Sequence, residues 1–336
     1  MTKVTSLEVA QRAGVSQSAV SRVFTPGASA SAKTAEKVKR AAQELGYRPN
    51  VLARAMVSGK SRIIGLVVAY LENQFYPVAL ELLSNALQKQ GYHILIFTAP
   101  NSVDGVDKVM SDLMDYQVDG IIAASVSLSS PLAKRAQAAG VPVVLFNRGQ
   151  AGDGFSTVTS NNFAGGHMAA RFLLNTGHRR IAHIAGWQGS QTGQDRARGF
   201  TTALKTAGVR PFAVVDGMYK RAVAMECTRQ LLTGTAPDAI FVGNDHMAFA
   251  VLDAIRETGL QPGQDISVIG FDDVPQAAWG AYDLTTYRQP VNRMVAATVS
   301  LLLNQIETGL AAPESIEIEG QLILRGSTRR LEGVAP

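Results

Sequence analysis

Apolar residues in the first fifty positions recur at helical spacing, whereas after residue 62 they gather into short continuous runs. Thr5 precedes a segment over residues 6–13 with Glu8 three places on, which predicts a helix opened by a capping box. Gly14 and Val15 then predict a tight turn, and Ser16 caps a second helix to about residue 24. In that helix Ala19, Val20 and Val23 form an apolar stripe, leaving Gln17, Ser18, Ser21 and Arg22 outward. A third helix over 32–45 would bury Ala35, Val38, Ala42 and Leu45 and stop at Gly46. Two short helices on a glycine turn make either an ordinary helical hairpin or a DNA-reading helix-turn-helix. The outward face favours the second: short polar side chains permit close approach to bases, and Arg22 can donate twice to a guanine edge. Lys33, Lys37, Lys39 and Arg40 either meet phosphates or are simply solvated.

From residue 63 onward, strand-like runs at 63–70, 92–98, 120–124, 141–147, 181–185, 239–242 and 266–271 alternate with helical segments. That alternation predicts parallel sheets covered by helices, whose ligands bind beyond the carboxyl ends of the strands. Asn73, Asn147, Arg148, Asn244, Asp245, Asp272 and Asp273 all fall at such ends.

Charge sharpens this division. Residues 1–62 hold eleven Lys or Arg against three acids, and the remainder holds 21 against 24, so the net +5 is carried wholly by the first segment. A small basic module on a mildly acidic body is the electrostatic footprint of nucleic-acid binding. A length of 336 residues implies two or more domains, and no apolar run approaches the roughly 20 residues that cross a bilayer. The N-terminus lacks an apolar export core and Cys227 is the lone cysteine, so a cytoplasmic, nucleoid-associated protein is expected.

Catalytic signals are weak. Gly59, Lys60 and Ser61 echo the end of a phosphate-binding loop, but Arg54 stands where its first glycine would be. No nucleophile elbow or zinc-binding His-Glu-x-x-His occurs, and His93, His167, His178, His183 and His246 read as packing or surface residues. Trp187 and Trp279 either line a cleft or pack. No enzyme activity, metal or cofactor is expected.

The stretch from Val4 to Phe24, with Ser31–Thr34 and Leu45–Asn50, closely resembles the headpiece of the lactose-repressor (LacI/GalR) family. The resemblance implies base reading by Gln17, Ser18 and Arg22 and backbone contacts by Ser16, Ser21 and Asn50. Residues 50–61 resemble the family's hinge helix, which implies minor-groove insertion at Ala53 and Met56, where the family usually has a leucine wedge. Asn73–Tyr76, Thr176–Ala182, Arg196–Phe200, Gly243–Ala248, Ile266–Asp273, Leu284–Pro290 and Leu324–Arg329 resemble the family's sensor core and, more distantly, periplasmic sugar-binding proteins.

The implied organisation is an all-α helix-turn-helix headpiece over 1–46, a hinge over 47–61, and an α/β periplasmic-binding-protein-like core over 62–336. Its two doubly wound parallel-sheet subdomains would comprise about 62–159 with 288–320, and about 160–287 with 321–332. An effector between them would meet Phe75, Asn147, Arg148, Thr192, Arg196, Tyr219, Asn244 and Asp272; Asn244 or Asp272 could instead cap the next segment of chain. Gln74 replaces a common proline, and Ser190 lacks the arginine of the purine-sensing branch, which disfavours a nucleobase and leaves a sugar or sugar derivative, neutral or acidic. The expected protein is a homodimeric regulator, generally a repressor, on a pseudopalindromic operator. The chain ends seven residues after Arg329, which leaves no room for a C-terminal zipper. The alternatives are a soluble carbohydrate-binding receptor with a basic arm, and a nucleotide-dependent enzyme.

Overall fold

The computed structural model describes the chain except residues 1–3, 26–27, 49–59, 70, 100–102, 127–128, 150–154, 310–311 and 330–336. It divides into two compact units, residues 1–62 and 63–336.

The first unit is built from α1 (Ser6–Ala13), α2 (Gln17–Phe24) and α3 (Ala32–Leu45). Thr5 and Glu8 form the reciprocal capping box, Ser16 caps α2 through the Ala19 amide, and Ser31 caps α3 through the Thr34 amide. Each such cap contributes about 1 kcal/mol. Gly14 and Gly46 end α1 and α3 at φ 66°, the left-handed conformation that glycine adopts without a Cβ penalty. Val9, Ala10, Val20, Val38, Ala41 and Ala42 form the small core, with Val23 and Leu45 packed at its margin. Ala41 joins the core, whereas Ala35, expected there, is only partly buried.

The second unit holds two six-stranded sheets. The first sheet comprises β1 (Ile63–Val68), β2 (His93–Thr98), β3 (Gly120–Ala124), β4 (Val143–Phe146), β5 (Ser156–Ser160) and a later strand, β11 (Ser315–Ile318). Its order, β11-β5-β4-β3-β1-β2, is wholly parallel. The second sheet runs β12-β10-β9-β8-β6-β7, from β6 (Ile181–Ala185), β7 (Ala213–Asp216), β8 (Ala239–Val242), β9 (Ser267–Asp272), β10 (Thr285–Arg288) and β12 (Gln321–Ile323). Only β12 is antiparallel in it. Covering helices are α4 (Phe75–Lys89), α5 (Val103–Asp115), α6 (Ser130–Ala138), α7 (Asn162–Asn175), α8 (Gln191–Thr206), α9 (Arg221–Leu231), α10 (Asp245–Glu257) and α11 (Val291–Thr308). The chain passes between sheets after β5, after β10 and between β11 and β12.

Strands with helices on both faces need apolar side chains in both directions, which is why β1, β3, β4 and β8 read as unbroken apolar runs and β6 is interrupted only by His183. β5 and β10 escape that signal because Ser-Thr-Val-Thr-Ser and Thr-Thr-Tyr-Arg look solvated, although nearly all their residues are buried. Two of their hydroxyls are paired from far along the chain: Ser156 Oγ accepts from Gln305, and Thr286 Oγ1 donates to Asp245. The short edge strands β7, β11 and β12 were also hidden, having too few residues for a period to show.

His183 sits inside this core, stacked 4.8 Å from Phe241 with Nδ1 2.9 Å from the Phe241 carbonyl oxygen. Burial drives its pKa from 6.5 down to about 4. The neutral ring's stabilisation is therefore complete above pH 6.5 and is lost as pH falls through that value towards 4, up to about 3 kcal/mol. Urea unfolding at pH 7 and pH 4.5 should show His183→Phe narrowing the difference between the two pH values by about 2 kcal/mol. An unchanged difference would place the acid sensitivity elsewhere.

Candidate functional site

In the first unit the exposed face of α2 carries Gln17, Ser18, Ser21 and Arg22, with Ser16 exposed at its cap. Gln17 Nε2 donates to Ser6 Oγ at 2.9 Å, which ties α2 to α1. Ser16 Oγ accepts from the Ala19 amide at 3.3 Å and lies 3.0 Å from Ser18 Oγ. Among the described residues Arg22 reaches only Ser18 O, at 3.4 Å, from an exposed position. Lys33, Lys37, Lys39 and Arg40 are exposed on α3. Asn50, Ala53 and Met56 lie outside the described residues.

In the second unit polar residues converge where the carboxyl ends of the two sheets meet. Asp272 ends β9 at φ 129° and is 4% exposed. Its Oδ2 accepts from Asn73 Nδ2 at 2.9 Å and its Oδ1 from Gln289 Nε2 at 2.7 Å. Asn73 follows β1 of the first sheet, so this bond crosses directly from one sheet to the other. Among the described hydrogen bonds, no backbone amide of the following segment donates to Asp272. Burial pushes its pKa up, opposed chiefly by the positive charge of Arg196.

Arg196, on α8, is 4% exposed. Its Nε donates to Asn162 Oδ1 at 2.8 Å and its Nη1 to the Gly243 carbonyl at 2.6 Å, while the guanidinium lies 3.7 Å over the Phe271 ring. Two glycines let α7 and α8 approach closely enough for this: a Cβ on Gly166 would fall 2.0 Å from the Arg196 carbonyl oxygen, and one on Gly199 2.0 Å from that of Phe163. Asp245, fully buried beside this cluster, accepts from Thr286 Oγ1 and the Val274 amide; burial first, then the Asp272 charge, raises its pKa.

Of the remaining candidates, Asn244 caps α10, its Oδ1 accepting from the Met247 amide at 3.0 Å. Thr192 is buried in the first turn of α8, 3.3 Å from the Oγ of Ser190, which caps that helix through the Gly193 amide. Phe75 opens α4, buried and stacked 6.2 Å from Phe146. Tyr219, at φ 56°, occupies the space above Gly186, where a Cβ would fall 2.0 Å from its Cζ. Asn147 is 5% exposed, held at φ 53° just after β4; its Nδ2 is 3.4 Å from Tyr76 Oη, and its Oδ1 has no hydrogen-bond partner among the described residues. Arg148 is buried with its guanidinium 5.5 Å from the centre of the Trp187 ring.

Asn73, Asn162 and Gln289 complete the Asp272–Arg196 network and were not among the sequence candidates for the effector. Asn73 could have been found as the polar residue ending the first strand; Asn162 and Gln289 carry no local signal. A separate cavity of about 490 Å³ along α7 and β12, lined by Phe163, His167, Met168, Arg171, Phe172 and Leu322, contains none of these residues. Among the described residues no His, Cys, Asp and Glu cluster could hold a metal, and no helix is long and apolar enough to cross a membrane.

Residues 6–50 match the family described as bacterial regulatory proteins, lacI family, and residues 170–328 match a periplasmic binding protein-like domain. The HTH-type transcriptional repressor PurR of Pasteurella multocida is 30% identical over 96% of this chain and 98% of its own length. The lac repressor dimer bound to operator and the anti-inducer ONPF superposes with a TM-score of 0.88 at 28% identity, over 98% of this chain and 100% of that one. A CelR–cellobiose complex gives 0.73 at 31% identity, over 97% and 100%.

A helix-turn-helix headpiece joined to a two-sheet core of this kind defines a DNA-binding transcription regulator governed by a small molecule, and PurR and the lac repressor are repressors rather than enzymes. The chain belongs to the lacI family of bacterial regulatory proteins.

Proposed function

We propose that this chain is a cytoplasmic, nucleoid-associated repressor that binds a pseudopalindromic operator as a homodimer and releases or gains it on binding a sugar or sugar derivative. The observation that carries this reading is the exposed polar face of α2, short side chains around Arg22, on a capped helix-turn-helix. Gln17, Ser18 and Arg22 would read bases, Ser16, Ser21 and Asn50 would hold the backbone, and Ala53 and Met56 would enter the minor groove. One reading helix touches too few bases for genomic specificity, so two headpieces on half-sites about one helical turn apart are required.

The effector would lie between the carboxyl ends of the two sheets, against Phe75, Asn147, Arg148, Thr192, Arg196, Tyr219, Asn244 and Asp272. The Asn73–Asp272 bond spans that junction, so a ligand inserted there competes with a contact that couples the sheets. A coupling of roughly 1–3 kcal/mol is enough to change operator occupancy about 5- to 150-fold. Ser190 spends its hydroxyl on capping α8 and brings no cation, which supports a carbohydrate over a nucleobase.

Selection of binding sites from random duplex DNA by the full-length chain tests the operator reading directly. An enriched pseudopalindrome is expected. Arg22→Ala should then weaken binding to it by about 1–3 kcal/mol and relax the preference at one base pair per half-site. Equal weakening on all sequences would reduce Arg22 to a phosphate contact, and no enrichment would overturn the regulator mechanism.

A further inference from the structure

Resting on the operator reading proposed above, in which Gln17 meets a base edge, we infer that Ser6 is a positioning residue for operator specificity. It anchors the Gln17 amide from α1, so that α2 presents a donor and an acceptor in fixed order and selects adenine at the base pair that Gln17 reads.

The hydrogen bond that carries the inference joins two helices at the same point of each. Gln17 Nε2 donates to Ser6 Oγ at 2.9 Å, and each residue is the first of its helix, Ser6 of α1 and Gln17 of α2. Both places are set by the cap before them. The capping box closes around the start of α1, with the Thr5 amide donating to Glu8 Oε2 at 2.7 Å, and Ser16 Oγ accepts from the Ala19 amide at the start of α2. Val9 and Ala10 of α1 share one core with Val20 of α2, so buried contacts hold the two helices together independently of this bond.

What the anchor decides is the roll of the amide. The last torsion of a glutamine is broad and nearly two-fold, so an unanchored Gln17, exposed as it is, would offer oxygen and nitrogen to a base in either order. With one N–H given to Ser6, the second N–H and Oε1 are left for a base edge. In the major groove adenine alone complements that pair, accepting at N7 and donating from N6, whereas guanine presents two acceptors, cytosine a donor and thymine an acceptor beside its methyl group. The anchor also orders a long side chain before DNA arrives, which lowers the entropy cost of the contact.

The other polar residues of the face are tied within α2 and its cap. Ser16 and Ser18 hydroxyls lie 3.0 Å apart, and Arg22 Nε donates to Ser18 O at 3.4 Å. The influence of Ser6 is therefore confined to one base pair per half-site, and the remaining positions of the operator serve as internal controls.

The test is site selection from random duplex DNA by the full-length chain and by Ser6→Ala, Ser6→Thr, Gln17→Ala and the Ser6→Ala/Gln17→Ala double variant, followed by titration of the selected operator and its single-base variants. The unsubstituted chain is expected to select adenine at one position of each half-site, a preference that Gln17→Ala loses. Ser6→Ala should reduce that preference about two- to tenfold and keep the preferences elsewhere in the site. Ser6→Thr, which retains the hydroxyl, should preserve it, and in the Gln17→Ala background Ser6→Ala should add nothing. Thermal melts check that each variant is folded. An unchanged adenine preference in Ser6→Ala, equal weakening on every sequence, an effect that persists without Gln17, or a base other than adenine at the Gln17 position overturns the inference. Failure to enrich any sequence overturns the regulator reading instead, so the two failures are distinct.

Discussion

Arg196→Ala is expected to lower the unfolding free energy of the core by about 3–5 kcal/mol and to abolish the effector response. The cost arises because the guanidinium serves four groups at once. Its removal leaves Asn162 Oδ1 and the Gly243 carbonyl buried without their donors, uncovers Phe271, and strips Asp272 of the positive charge that opposes its burial. A ligand contact alone would not destabilise the unliganded protein when truncated. Urea unfolding read together with operator titration against a bacterial metabolite extract separates these roles. A stability loss below about 1 kcal/mol with the response gone would make Arg196 purely a ligand contact, contrary to its hydrogen bonding here.

Gly166→Ala is expected to cost about 3 kcal/mol or more, at the upper end of overpacking effects. The added Cβ would meet the Arg196 carbonyl oxygen at 2.0 Å, backbone against backbone, where no rotamer change gives relief. Helices α7 and α8 would have to separate, carrying Asn162 away from Arg196. Gly280→Ala is the control: a methyl group at that position would find nothing within 4 Å, and the backbone φ is not positive, so the change should be neutral or slightly stabilising. Thermal unfolding of the two variants checks the contrast. Similar melting temperatures would show that the helix pair tolerates separation.

The headpiece was legible almost residue by residue because its determinants are local. Thr5 with Glu8, Gly14, Ser16 and Gly46 act over three or four positions, and the structure assigns them the caps and turns expected. The apolar strands were legible for the same reason, although their ends were overrun: the run at 63–70 is a strand only to Val68, and that at 141–147 only over Val143–Phe146.

The candidate site was legible in its residue types but not in its assignments. Asn244, open between cap and ligand contact, caps α10. Phe75 packs on Phe146 and Tyr219 lies above Gly186, neighbours that nothing local in the sequence names.

Sequence alone determined the class of fold, the basic headpiece, the exposed polar face of α2 and the set of polar residues at strand ends, because capping, periodicity and charge are short-range properties. Tertiary structure alone decided that Asn73 meets Asp272 across 199 positions, that Gln289 and Asn162 complete the network, and that Arg148 is buried against Trp187. Hydrogen bonds and desolvation depend on distances in space, and only the packing of two sheets brings those distances into being.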